Sequence, residues 1–201
     1  MSLHVQTIRV DEARGAAREL YESASKVLYK EDHPPVPEGK VPKYVQAWSL
    51  QPELARSWLE HGALARRAAG LDTRRYELLC VRVAYNLKCA SVLRNHGWIL
   101  LQLNVYTRDA IIAMAHDWRN APLDAKDKAM LSLADQMCAR SHEINAEDIA
   151  ELRESGYSEQ QIVALIMLVG WRVSDGVNGN AFGLGDGDEW TIEMQAIIDW
   201  K

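Results

Sequence analysis

The chain has 201 residues, 48% of them hydrophobic, and a formal net charge of −5. That length and apolar content suit one domain with a real core and exclude disorder as the expectation. The acidic balance, with Lys and Arg scattered rather than striped, gives no field to hold a phosphate backbone, so nucleic acid is not an expected partner.

The first residues, MSLHVQTIRVDEARG, reach a charge at Arg9 with no apolar stretch before it, so no secretory leader is expected. Residues 11 to 30 carry Ala17, Leu20, Tyr21, Ala24, Val27 and Leu28 at helical spacing, which predicts an amphipathic first helix. Four prolines in the ten residues 33 to 42 make that stretch a connector. A short helix is expected around Tyr44 to Leu50, then a longer one that starts at Pro52 and stops at Gly70.

The next helix starts near Asp72 and breaks between Asn86 and Cys89, and another runs from Ala90 to about Leu103. Further helices are predicted at roughly 107 to 118, 124 to 141, 146 to 154 and 158 to about 176, with Asp124, Asn145 and Ser158 as N-caps. The last of these is apolar almost all round, which marks it as central or as covered by another subunit. Its longest apolar run, Ile162 to Trp171, is about half of the roughly 20 residues a membrane span needs. Residues 183 to 201 form a Gly/Asp loop and a short amphipathic arm. No segment alternates like a strand, so the fold class is all-α.

Three cysteines, Cys80, Cys89 and Cys138, match neither a disulfide framework nor a zinc site, which points to a reducing, cytoplasmic location. The histidines show no paired ligand spacing, and no metal or cofactor is expected. The chemistry-bearing candidates lie on the two central helices. At 100° per residue, Arg75, Arg82 and Asn86 share one stripe while Glu77 faces the other way, among Cys80, Val81 and Ala84. His96 shares a face with Val92, Ile99 and Leu100, and Cys89 sits seven residues before it at a helix N-terminus, where exposed N–H groups favour a thiolate.

Each of these residues has a plainer role. A lone inward Glu is more often an ion-pair member, here with Arg74 or a group on another helix as partner, a lone His is usually a bonded core residue, and free Cys is commonly buried. Three around one helix–turn–helix make a candidate site. Tyr44 and Trp48, just before it, are candidate substrate-binding residues, and Trp98 and Trp171 are further candidates for an aromatic wall.

The segment ELLCVRVAYNLKCASVLRNHG resembles the motif of the carboxymuconolactone decarboxylase and alkylhydroperoxidase D superfamily, in which Glu is followed twelve residues later by CxxC and then His. Glu77, Cys89 and His96 match it, and with the flanks the resemblance spans roughly residues 40 to 182. In the hydroperoxidase branch one cysteine attacks peroxide and the other resolves it, with Glu and His relaying protons. Here the second cysteine is Val92 and Ser91 replaces a His often present within the motif. The decarboxylase branch implies a cofactor-free site that moves protons, for which Glu77 and His96 suffice; that branch often carries an acidic residue near the position of Val92.

Together these readings predict an N-terminal helix and connector (1–42), an AhpD-like helical domain (43–182) and a C-terminal arm (183–201). The expected function is cofactor-independent acid/base catalysis, of decarboxylase, lyase or isomerase type, on a small organic acid or aromatic-derived metabolite. Glu77 and His96 exchange protons there, and Cys89 assists or is vestigial. A thiol peroxidase using Cys89 alone and a non-catalytic ligand- or partner-binding protein are the alternatives. The partners expected are a small-molecule substrate and further copies of the chain, as a trimer or higher homo-oligomer, with no membrane.

Overall fold

The computed structural model of the chain describes residues 3–28 and 37–199, with residues 24–28 described by backbone alone. The start of the Pro-rich connector (33–36), the side chains of Ala24, Val27 and Leu28, and Trp200 therefore lie outside the described residues. Among the described residues there are helices and no strands, as the periodicity predicts. The helices are α1 (Gly15–Leu28), α2 (Lys43–Ala47), α3 (Pro52–Ala69), α4 (Thr73–Asn86), α5 (Ala90–Gln102), α6 (Arg108–Asp117), α7 (Ala125–Arg140), α8 (Ala146–Glu154) and α9 (Glu159–Phe182). A 3-10 segment, Glu189–Ile198, follows.

The boundaries follow from capping chemistry. The Asp72, Asp124 and Ser158 side chains each accept a backbone N–H of the first helical turn, and Asn145 and Ser158 form reciprocal capping boxes with Asp148 and Gln161. Gly70, at φ +67°, closes α3 in the left-handed conformation that glycine adopts without strain. Helix α9 runs six residues past the predicted end near 176. Gly176 and Gly179 do not stop it; they let the helix pass Leu87 and Cys89, whose side chains a Cβ would meet at 2.7 and 3.0 Å.

Helices α4 and α5 form a tight hairpin through Leu87–Cys89, and the core lies between them, α7 and α9, filled by Leu79, Leu93, Leu100, Met130, Leu165 and Leu168. A second cluster, Ala17, Leu20, Val45, Ala55 and Leu59, seats α1 and α2 on α3. The charged stripe of α4 faces α7. Arg74 and Arg75 both bind Asp127, a carboxylate only 2% exposed, at 2.8 Å, and Arg82 and Asn86 bind Asp135. Removing one member of such a buried group leaves an uncompensated charge and costs roughly 3–5 kcal/mol, so this face fixes how α4 rotates. The opposite face, which carries Glu77, is thereby turned inward.

Helix α9 is long and apolar enough to cross a membrane by length and composition, but half of that window is buried against the other helices, as in the core helix of a globular fold. Its outward side leaves Val163, Met167 and Val177 exposed.

Candidate active site

Glu77 is fully buried, and its partner is not Arg74, which is committed to Asp127 and Tyr106. The partner is His96. Glu77 Oε2 lies 2.5 Å from His96 Nδ1, and His96 Nε2 lies 2.7 Å from Arg172 Nη2 on α9. A guanidinium only donates, so Nε2 accepts from Arg172 and the ring proton sits on Nδ1, donated to the carboxylate. Arg172 in turn binds Asp175 at 3.0 Å. The result is a continuous chain, Glu77–His96–Arg172–Asp175, joining α4, α5 and α9 in the core.

Burial opposes the charged imidazole, but the Cys80 sulfur and the Glu77 carboxylate outweigh it and raise the His96 pKa to about 9. The proton that this favours would go on Nε2, the atom that now accepts from Arg172. Protonation of His96 and its bond to Arg172 are therefore mutually exclusive. Arg172 itself is only 4% exposed, and its Nε–H has no partner. Orphan donors at that depth are costly, and this one leaves the guanidinium with a hydrogen bond still to give.

These groups line one cavity. Tyr44 and Trp48, in edge-to-face contact at 5.3 Å, form part of its wall, with Tyr76, Val92, Trp171 and Asp188. Asn95, also on the wall, has a buried amide oxygen without a partner. Trp98 packs in the core instead of lining the cavity. The structure thus brings Glu77, His96, Tyr44 and Trp48 to one place.

It does not bring Cys89 there. The Cys89 side chain is 1% exposed, close beside Gly179, and Val92 rather than Cys89 lines the cavity. Although Cys89 occupies the N-cap of α5, burial pushes its thiol up to about 11, only partly offset by the Val92 N–H. The expected thiolate is thus opposed by desolvation, which exceeds what one helix terminus returns.

Sequence reasoning missed Arg172, Asp175 and Asp188. The first two had a legible signal: they are the only charges between Ile162 and Phe182, three residues apart on an otherwise apolar helix. Asp188 had none, because its place depends on how the chain returns after α9.

No family model and no curated protein matches the chain. Solved structures do. The chain is similar to an uncharacterised peroxidase-related protein with an alkylhydroperoxidase AhpD core from Ralstonia eutropha JMP134 (TM-score 0.78, 17% identity, 98% of this chain and 97% of that one). It is also similar to a peroxidase-related protein from Silicibacter sp. TM1040 (TM-score 0.70, 21% identity, 92% and 93%). A third is the debrominase Bmp8, as a cysteine-to-alanine variant in complex with 2,3,4-tribromopyrrole (TM-score 0.77, 13% identity, 99% and 99%). At these identities the likeness is one of fold: the described residues have the AhpD-type helical architecture.

Proposed function

We propose that the chain is a cofactor-independent enzyme that moves protons on a small organic acid or aromatic-derived molecule, with Glu77 and His96 as its base. The observation that carries this reading is the buried Glu77–His96–Arg172 chain on the cavity wall. An acceptor on the substrate, a lactone carbonyl or a carboxylate, engages Arg172 and draws its N–H from His96 Nε2. The freed Nε2 takes a proton from the carbon next to that carbonyl, and Glu77 stabilises the imidazolium through Nδ1–H. Tyr44 and Trp48 supply the face against which a flat molecule rests.

A second reading is favoured by the fold comparisons, whose neighbours are described as peroxidase-related: a thiol peroxidase that uses Cys89 alone. It requires Cys89 to reach the cavity past Val92 and an outside thiol to reduce the sulfenic acid. A member that only binds its ligand remains the third reading. For all three we propose a cytoplasmic homo-oligomer, assembled through the exposed apolar side of α9.

The test is exchange of solvent deuterium into α-angelica lactone, a small enol lactone, followed by proton NMR, with hydrogen peroxide consumption under dithiothreitol measured in parallel. Exchange lost in Glu77→Gln supports the acid/base reading. Peroxide consumption lost in Cys89→Ser, without lactone exchange, replaces it with the thiol reading.

A further inference from the structure

The segment after α9 is built to be held in one place. Arg94, 3% exposed, spends its guanidinium there: Nη2 donates to the Asp188 carbonyl (2.6 Å) and Thr191 Oγ1 (3.0 Å), and Nη1 donates to Gln195 Oε1 (2.6 Å). A buried cation bonded to neutral acceptors is expensive unless nearly every donor is used. Gly187 passes Ser91 so closely that a Cβ would lie 3.0 Å from the Ser91 Cα, and Lys43 Nζ donates to the Gly187 carbonyl at 2.7 Å. Met194 and Ile197, both fully buried, complete the seat. What this anchoring fixes is Asp188, whose side chain forms part of the cavity wall and whose Oδ1 accepts the Lys43 backbone N–H at 3.1 Å.

We infer that Asp188, delivered by the C-terminal arm, is the second proton-bearing group of the site, giving a proton to the substrate that the Glu77–His96 pair deprotonates. This rests on the acid/base reading above. A proton shift between carbons too far apart for one base to serve uses one group to take and another to give. Glu77 and His96 act as one unit through their 2.5 Å bond, and Asp175 is held by Arg172, which leaves Asp188 as the remaining carboxyl on the cavity wall. In the isomerisation of an enol lactone, His96 Nε2 removes a proton from the α carbon. The electron pair shifts along the dienolate, and the Asp188 carboxyl protonates the γ carbon. The imidazolium then releases its proton to solvent and the carboxylate recovers one, so the balance closes.

The surroundings suit that role. Burial raises the Asp188 pKa to about 6, against the Lys43 backbone N–H and the charges of Lys43 and Arg94, with Glu189 adding to the rise. The other titratable groups lining the same cavity are Tyr44 from α2, Tyr76 and Glu77 from α4, His96 from α5, and Arg172 and Asp175 from α9, while Asp186 in its own loop acts on Arg94. Arg94 is a positioning residue, acting through the arm.

The test follows α-angelica lactone in deuterium oxide between pH 4.5 and 8 with the parent, Asp188→Asn, Asp188→Glu and Glu77→Gln. In Asp188→Asn, conversion to the β isomer falls tenfold or more in kcat with KM nearly unchanged, and the pH limb near 6 disappears. Deuterium exchange at the α carbon, which needs only the base, persists. Asp188→Glu retains the limb, and Glu77→Gln loses both processes. An Asp188→Asn protein with the parental rate and profile overturns the inference.

A direct titration separates the two failures. In protein with carbon-13-labelled aspartate, the carboxyl resonance missing from Asp188→Asn has a midpoint near 6. A midpoint near 4, the ordinary aspartate value, overturns the inference whatever the lactone does. No lactone turnover with a midpoint near 6 overturns the acid/base reading instead.

Discussion

Glu77 Oε2 and His96 Nδ1 lie 2.5 Å apart in the core, and the other ring nitrogen of His96 is occupied by Arg172 at 2.7 Å. Neither nitrogen is free as the chain stands. On the proposed acid/base reading, substrate displaces Arg172 before the imidazole acts, which couples recognition of an acceptor to release of the base.

That coupling predicts which substitutions abolish turnover. Glu77→Gln keeps an acceptor for Nδ1–H but removes the charge that stabilises the imidazolium, and His96→Gln removes the base. Each lowers the rate with a turnover substrate by about 10² or more, the range of positioned acid/base groups. Arg172→Lys retains the charge but cannot reach His96, Asp175 and a ligand together, so KM rises along with the loss in kcat. Steady-state kinetics on the three variants, with circular dichroism to check folding, measures this.

The helices, their caps and the inward turn of Glu77 and His96 were legible because each rests on a local rule, 3.6-residue spacing or a capping side chain. The α4–α5 hairpin needs only those rules and a short turn to bring its two site residues together. Arg172, Asp175 and Asp188 depend on where α9 and the arm return in space, which no local pattern encodes. Cys89 was legible as a helix N-cap, but whether the thiolate or the common burial of a free cysteine prevails was not, because its depth comes from Gly179 on a helix ninety residues away. The extent of α9 was misread for the same reason, since Gly176 serves packing rather than termination.

The redox prediction follows from that burial. With Cys89 at 1% exposure, its thiol pushed up to about 11, and Val92 in place of the second motif cysteine, mild peroxide leaves no intrachain disulfide. Cys89→Ser costs far less activity than His96→Gln. Intact-mass measurement after peroxide treatment checks the first point: a loss of two hydrogens with Cys89 joined to Cys80 or Cys138 refutes it.

Asp188 also leaves a mark on stability. Its folded pKa of about 6 exceeds the unfolded value near 4, so the native state holds the extra proton between those pH values. The contribution is fully present below about pH 4 and lost as pH rises through 6. The loss is on the order of 2–3 kcal/mol for a two-unit shift in a group this buried. Urea unfolding of the parent and Asp188→Asn at pH 4 and pH 7.5 isolates it, because other groups cancel in the comparison.

The exposed side of α9 predicts assembly. Val163 is 58% exposed and Met167, one turn on, is 51% exposed, an arrangement that a second copy would cover. Light scattering at micromolar concentration should report a trimer or larger species, and Met167→Glu should shift it toward the monomer. A monomeric parent contradicts the proposal.

The last prediction concerns Gly62, where α3 meets the cavity wall. Trp171 lies against this glycine so closely that a Cβ would stand 2.4 Å from its ring, and the indole N–H donates to the Trp58 carbonyl at 3.1 Å. Gly62→Ala gains helix propensity of up to about 1 kcal/mol, but the ring has to shift, and overpacking of a core contact costs typically 1–3 kcal/mol. The penalty exceeds the gain, so net stability falls by about 1 kcal/mol. Because Trp171 lines the cavity and precedes Arg172, the same shift disturbs the Arg172–His96 contact and weakens ligand binding more than a change of equal cost elsewhere. Gly170→Ala on α9 is the control, since the nearest atom to its Cβ, the Met137 methyl, stands at 3.9 Å. It should stabilise the helix and leave KM untouched. Equal effects of the two substitutions on KM would mean that Trp171 does not set the shape of the site.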